Sequence, residues 1–146
     1  MTPKDKELLL KDLCARLPYN VICQVEFKEN GKYNSKVMLL SGIFTDEAYF
    51  TTKDGSIYSN EYKPYLFPLS SMTEEQCHKF YCRFVENDID YNDFKKYYFD
   101  SGSWDKVLTT ISDCGDVIDW FNKYHFDYRG LIGKGLAIDA TGLNIY

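Results

Sequence analysis

The segment VICQVEFKENGKYNSKVMLLSGIFTDEAYFTTKDGSIYS, residues 21–59, decides the fold of this chain. Apolar residues occupy every second position from Val21 to Phe27, which is typical of a strand with one buried face. Asn30-Gly31 then supplies the residue pair of a two-residue hairpin turn, in which both central positions take positive φ. Asp54-Gly55 is a second hairpin signal, and Gly42 is predicted to mark a bulge or bend. The segment therefore predicts a small antiparallel meander of about four strands.

A helix is predicted before these strands, over residues 3–16. Thr2 suits the N-cap and Pro3 the first helical position, and Asp5 places an acid in the first turn. Pro18 disfavours helical geometry at the residue before it, so it ends the helix. The residues predicted on the buried face follow the spacing i, i+3, i+4, i+7: Leu10, Leu13, Cys14 and Leu17.

The second half of the chain is predicted to be mainly helical. Residues 62–69, YKPYLFPL, are an extended, proline-containing connection, because each proline favours extended geometry at the residue before it. Thr73 and Gln76 have the T-x-x-Q spacing of a capping box, which predicts a helix. Helical spacing of apolar residues recurs from residue 91, with one helix beginning near Asp113, and the tail is predicted to add a closing strand. The chain is thus predicted to be one α+β domain over residues 1–146.

Composition and charge exclude several classes of protein. The 146 residues are enough for one domain that needs no disulfide or metal to stabilise its core. The 17 basic and 22 acidic residues give a net charge of −5, whereas proteins that bind duplexes directly usually carry a basic face, so we expect no direct nucleic-acid binding. An acidic chain rich in tyrosine suits a basic surface on another protein.

The sequence also predicts where the protein works. The longest apolar stretch, residues 37–40, is far shorter than the ~20 residues that span a bilayer, so we expect no membrane partner. The five cysteines are an odd number, and no secretory signal precedes them. Reduced thiols and a cytoplasmic location are therefore predicted.

Two partial metal motifs are present. Asp88, Asp90 and Asn92 begin like a calcium loop, but the positions for its turn glycine and its bidentate glutamate hold other residues. His78 and Cys82 lie at i, i+4 on the second predicted helix, yet no second close pair completes a zinc site. No metal and no cofactor is therefore predicted.

Catalytic motifs are equally incomplete. Cys114, near a predicted helix N-terminus, is the best candidate nucleophile of the five cysteines, but packing or capping explains it as well. Asp113 and Asp116 fit the charge preference of a helix N-terminus without any chemistry. Lys134 lies among glycines but lacks the strand-to-helix context of a phosphate loop. We therefore predict no catalytic residue, and an enzyme of unknown reaction is only a remote alternative.

The segment HFDYR, residues 125–129, contains more side chains suited to ligand binding than any other candidate site in the sequence. His125, Asp127, Tyr128 and Arg129 combine an imidazole, a carboxylate, a phenol and a guanidinium, which suit an anionic or aromatic small ligand. The alternative is an internal hydrogen-bond network that pins the C-terminal tail.

Three stretches of the chain resemble one family. They are KDLCARLPY (11–19), KPYLFPLSSMTEEQ (63–76) and HFDYRGLIGKGLAIDA (125–140). They are similar to a family of small proteins of gut Bacteroidales and of their phages and prophages, for which no activity is established. The family's usual form has glutamate where this chain has Gly133, which argues further against a phosphate loop. The resemblance implies a cytoplasmic accessory protein of a phage or mobile element, and it assigns no role to any residue.

The favoured hypothesis is a non-enzymatic accessory protein that acts by binding a host protein, with counter-defence as one concrete version. The alternative is a protein that binds or sequesters a nucleotide-like anion through His125, Tyr128 and Arg129. Partner association is expected to depend on salt, whereas a buried small ligand predicts much less salt dependence.

Overall fold

The computed structural model describes residues 1–44, 47–52, 55–59, 61–85, 89–110 and 114–146. The predicted class is confirmed: the chain is α+β, with an N-terminal helix, an antiparallel meander and helices in the C-terminal half. It divides into two compact units, the first made of Met1–Leu66 with Arg129–Tyr146 and the second of Phe67–Tyr128. The single domain expected from the sequence stays a prediction.

Helix α1 (Pro3–Arg16) begins and ends as predicted. The Thr2 hydroxyl accepts a hydrogen bond from the backbone N–H of Asp5 at 3.2 Å, and the Asp5 carboxylate accepts one from the backbone N–H of Thr2 at 3.1 Å. These two bonds form a capping box that satisfies N–H groups at the start of the helix.

The predicted buried face of α1 is partly wrong. Cys14 is exposed, and Leu10 and Leu17 are only half-buried. The residues of α1 that are buried are Leu9, Asp12, Leu13 and Arg16. An apolar spacing rule misses this face, because two of its members are charged and are buried as an ion pair.

The meander contains five strands, one more than the approximate prediction: β1 (Ile22–Glu29), β2 (Lys32–Phe44), β3 (Glu47–Thr52), β4 (Gly55–Ser59) and β5 (Tyr62–Leu66). Asn30 and Gly31 have φ of 51° and 79°, so the predicted first hairpin turn is confirmed. The register between β2 and β3 shifts between Leu40 and Gly42, which confirms the predicted bulge. Asp54, of the second predicted turn, lies outside the described residues.

The proline-containing connection is the main correction to the predicted elements, because its first part is a strand. β5 pairs antiparallel with β1, placing Pro64 opposite Cys23. The short strand β6 (Ile138–Asp139) pairs in parallel with the end of β5, which confirms the predicted closing strand. The sheet formed by the described strands has the order β4-β3-β2-β1-β5-β6.

The core of the first unit packs α1 against one face of this sheet. Leu9 and Leu13 of α1 belong to the same buried cluster as Val25, Leu40 and Phe50 of the strands. At the end of β4, the Ser59 hydroxyl donates a hydrogen bond to the carbonyl oxygen of Glu26 in β1 at 2.8 Å. The last residue of β4 is thereby bonded to β1, although β2 and β3 separate the two strands in the sheet order.

The second unit is helical: α2 (Glu74–Phe84), α3 (Tyr91–Phe94), a π-helical turn (Lys95–Phe99), α4 (Trp104–Thr110) and α5 (Cys114–Lys123). The predicted capping box of α2 is confirmed by reciprocal hydrogen bonds between Thr73 and Gln76. The ring of Phe80 lies at the centre of the aromatic core, with the centroids of five rings 5.0–6.1 Å away: Phe84, Phe94, Trp104, Trp120 and Phe121. Asp88 and Asp113, which the sequence singled out, lie outside the described residues.

Candidate interaction surface

The predicted ligand-binding residues are divided between the two units. His125, Asp127 and Tyr128 belong to the second unit, and Arg129 belongs to the first. His125 and Asp127 are each only 8% exposed. The backbone N–H of Phe67 donates to the carbonyl oxygen of His125 at 2.9 Å, and the N–H of Asp127 donates to the carbonyl oxygen of Phe67 at 2.8 Å. These main-chain bonds hold residues 125–127 in place.

Arg129 contacts a carboxylate of its own unit. Its Nε lies 3.2 Å from Oδ1 of Asp12, whose side chain is completely buried. The same carboxylate accepts two hydrogen bonds from Arg16, at 2.6 and 3.2 Å. Asp12 therefore lies between two guanidinium groups. The sequence analysis gave an internal network as the alternative to a ligand site at residues 125–129. The contacts of Arg129 resemble such a network, and the carboxylate in it belongs to Asp12.

The predicted soft-ligand residues of α2 have different environments. Cys77 is buried, and burial raises the pKa of its thiol to about 11. Cys82 is exposed, and its Sγ lies 3.7 Å from Nδ1 of His78. Within the described part of the chain, no group of three or more His, Cys, Asp or Glu side chains is arranged to hold a metal ion. The side chain of Cys114 is not among the described ones.

A groove of about 620 Å³ lies in the first unit, beside the N-terminus of α1 and the start of β5. Its apolar lining includes Leu9, Tyr62 and Leu136. Charged residues of both signs also line it: Asp5, Glu26, Glu61, Lys63 and Lys134. This volume suits a small ligand, but the mixed charge favours neither an anion nor a cation.

The sheet face opposite α1 carries an aromatic patch, which we define as Phe44, Tyr49 and Tyr58. Ala48 and Phe50 of β3 are buried in the core, so the residue between them points to the other face. Tyr49 pairs directly with Tyr58 across β3 and β4, and their ring centroids are 4.8 Å apart. Phe44 joins them, with centroid distances of 6.4 Å to Tyr49 and 6.2 Å to Tyr58. Three strands thus bring one ring each into a single contact cluster.

The patch is open to solvent. Phe44 is 57% exposed and Tyr58 is 58% exposed. Gly42 makes room for the Phe44 ring, since a Cβ on Gly42 would lie 3.1 Å from Cε2 of Phe44. Exposed aromatic groups that touch one another mark interaction sites more often than single exposed side chains do.

Acidic side chains lie beside the patch. Tyr58 also lines a second groove, of about 370 Å³, between β4 and the end of β1. Three carboxylates line this groove, those of Glu26, Glu47 and Glu61, and Lys28 is its one ammonium among the described residues. Over the same residues none of the three carboxylates takes part in an ion pair. The surface next to the aromatic patch therefore has a net negative charge.

Sequence reasoning did not single out the aromatic patch. A two-residue turn at Asp54-Gly55 would place residue 49 opposite residue 60, whereas Tyr49 pairs with Tyr58 and Thr52 with Gly55, so the observed register differs from the one that this turn would give. The position of Phe44 depends in addition on the bulge in β2.

Comparison of the chain with protein-family models, with curated proteins and with solved structures finds no match. No helix among the described residues is long and apolar enough to cross a membrane.

Proposed function

We propose that this chain is a non-enzymatic accessory protein that binds a partner protein through the aromatic patch of its first unit. The observation that carries the proposal is the contact between Phe44, Tyr49 and Tyr58, with two of the three rings more than half exposed. Rings of this kind supply much of the binding energy of protein interfaces while losing little conformational entropy. The proposal includes a cytoplasmic setting in a phage or mobile element, with a host protein as partner.

The charge of the surface supports a basic partner. The carboxylates of Glu26, Glu47 and Glu61 lie next to Tyr58, and the whole chain carries a net charge of −5. A surface with lysine or arginine around an apolar centre is complementary to this arrangement. We expect the association to weaken as salt is raised, because screening reduces the attraction between exposed charges.

The geometry favours protein binding over the small-anion alternative. An anion that approached Arg129 would compete with the buried carboxylate of Asp12, which lies 3.2 Å from the Arg129 Nε. The aromatic patch, in contrast, needs no rearrangement to contact a partner.

Site-directed photocrosslinking tests the proposal. Tyr58 is replaced by a photoreactive phenylalanine analogue in one sample and Tyr97 in another, and both proteins are irradiated in a lysate of a gut Bacteroidales host. Tyr97 is a matched control because it is 55% exposed and lies in the other unit. We expect one protein to crosslink at position 58 and not at position 97.

The crosslinked protein is then purified and its affinity measured. Tyr58→Ser is expected to weaken binding about thirty-fold, as loss of a central aromatic contact does, and Tyr97→Ser is expected to leave it unchanged. Equal crosslinking at the two positions, or equal affinity of Tyr58→Ser and the parent chain, would overturn the proposal.

A further inference from the structure

Four of the five cysteines have described side chains, of which two are buried and two are exposed. Cys23 and Cys77 are buried, whereas Cys14 and Cys82 are exposed. The two exposed cysteines both lie on helices, Cys14 on α1 and Cys82 on α2. They differ in one respect, because only Cys82 has a described contact with an imidazole. The Cys82 Sγ lies 3.7 Å from Nδ1 and 3.9 Å from Nε2 of His78.

The imidazole is held by aromatic side chains of the second unit. The ring of Tyr91 packs edge-on against His78 with a centroid distance of 4.9 Å and an interplanar angle of 78°. The centroid of the Tyr81 ring lies 6.5 Å from that of His78. Cys82 and His78 are also one helical turn apart, so the helix itself keeps the two side chains on one face. A nucleophile, a base and groups that orient the base are the parts of an activated thiol.

We propose that Cys82 is a site of reversible modification by small disulfides, with His78 as its general base. In this step the thiol proton moves to an imidazole nitrogen, and the Cys82 sulfur attacks one sulfur of a disulfide such as oxidised glutathione. The new S–S bond forms as the old one breaks. The departing thiolate then takes the proton from the imidazolium, so that one thiol is consumed and one is released.

The position of Cys82 makes the role of His78 separable from other effects. Cys82 lies in the last turn of α2, where the helix dipole disfavours a negative sulfur. Helix position therefore opposes thiolate formation and does not explain enhanced reactivity at Cys82, whereas the adjacent His78 imidazole does. Cys14 is the internal reference, since it is exposed on a helix and none of its described contacts is with an imidazole.

The experiment follows disulfide exchange of the native full-length chain with oxidised glutathione at pH 7, with peptide mass spectrometry to score each cysteine separately. We expect Cys82 to be modified about ten-fold faster than Cys14. In His78→Asn and His78→Gln the rate at Cys82 is expected to fall to that of Cys14, with unchanged circular dichroism. In denaturant the two cysteines of the parent chain are expected to react at equal rates, because the pair is no longer held together.

Equal rates at Cys82 and Cys14 in the native chain would overturn the proposal, as would a fast Cys82 that survives both His78 substitutions. A rate difference that persists in denaturant would also overturn it, because the cause would then be local sequence. These outcomes are independent of partner binding at the aromatic patch.

Discussion

Arg16 donates from Nε to Oδ2 of Asp12 at 2.6 Å, and both side chains are completely buried one turn apart on α1. Arg129 approaches the other carboxylate oxygen from the C-terminal part of the same unit. Removing charges from water is costly unless each is paired and hydrogen-bonded. Arg16 hydrogen-bonds Asp12 within the helix, and the ion pair between Asp12 and Arg129 links this helix to the C-terminal part of the unit.

Loss of the Asp12 charge is expected to destabilise the first unit strongly. Asp12→Asn leaves two guanidinium groups without their shared carboxylate, and breaking a buried ion pair in this way costs about 3–5 kcal/mol. Urea unfolding measures the change. Glu7→Gln removes the same charge from an exposed position of α1 and is expected to have little effect. Equal stability of the two variants would show that the network contributes nothing.

The hydroxyl of Tyr146 fastens the C-terminal tail to the sheet. It donates to the carbonyl oxygen of Tyr65 at 2.8 Å and accepts from the backbone N–H of Ile22 at 3.2 Å. Tyr146→Phe is expected to lower the free energy of unfolding by about 1 kcal/mol, the typical net contribution of such bonds. Tyr33→Phe is the control, because Tyr33 is 76% exposed.

The same residue predicts a dependence on alkaline pH. Burial raises the pKa of the Tyr146 hydroxyl above its usual value near 10. The folded chain thus holds this proton more tightly than the unfolded chain, so its contribution to stability is complete below about pH 10 and is lost as pH rises further. Denaturation midpoints between pH 8 and pH 11 are expected to fall less in Tyr146→Phe than in the parent chain. An equal fall in both would contradict this.

Gly42 is expected to position Phe44 in the aromatic patch. A methyl group at residue 42 would lie 3.1 Å from the Phe44 ring, and this exposed ring can move away. Gly42→Ala is therefore expected to leave the unfolding midpoint nearly unchanged. It is expected to lower the affinity for the protein that crosslinks at position 58. Gly31→Ala is not a suitable control, because Gly31 has φ of 79° and its substitution strains the turn. Ser41→Ala, next to Gly42 in β2, serves instead.

Buried thiols are expected to resist alkylation in the native chain. Burial raises the pKa of Cys77 to about 11 and also raises that of Cys23, so almost no thiolate is present at pH 8. Iodoacetamide at pH 8 is expected to label Cys14 and Cys82 and to reach Cys23 and Cys77 only after unfolding. Peptide mass spectrometry resolves the sites. Rapid labelling of Cys77 in the native chain would contradict the burial of this side chain in the core of the second unit.

The local signals in the sequence were reliable because their causes are local. Thr2 and Pro3 set the start of α1 through its first-turn N–H groups, and Thr73 did the same for α2. Asn30-Gly31 determined a hairpin, since a two-residue turn of positive φ joins only adjacent antiparallel strands. Capping, turn geometry and alternation thus determined the α+β class and most element boundaries.

Other features were decided only by tertiary structure. The spacing rule for α1 counts only apolar residues, so it excluded Asp12 and Arg16 from the core. Their burial as an ion pair, with Arg129 beside the same carboxylate, was decided by tertiary packing. Residues 62–66 became a strand because β1 offered an unpaired edge, which no local pattern records. The aromatic patch needs both a hairpin register and a bulge to bring residues 44, 49 and 58 together. Sequence by itself determined most of the elements, because capping and turn geometry are local, and long-range pairing decided β5 and the surface that the sheet presents.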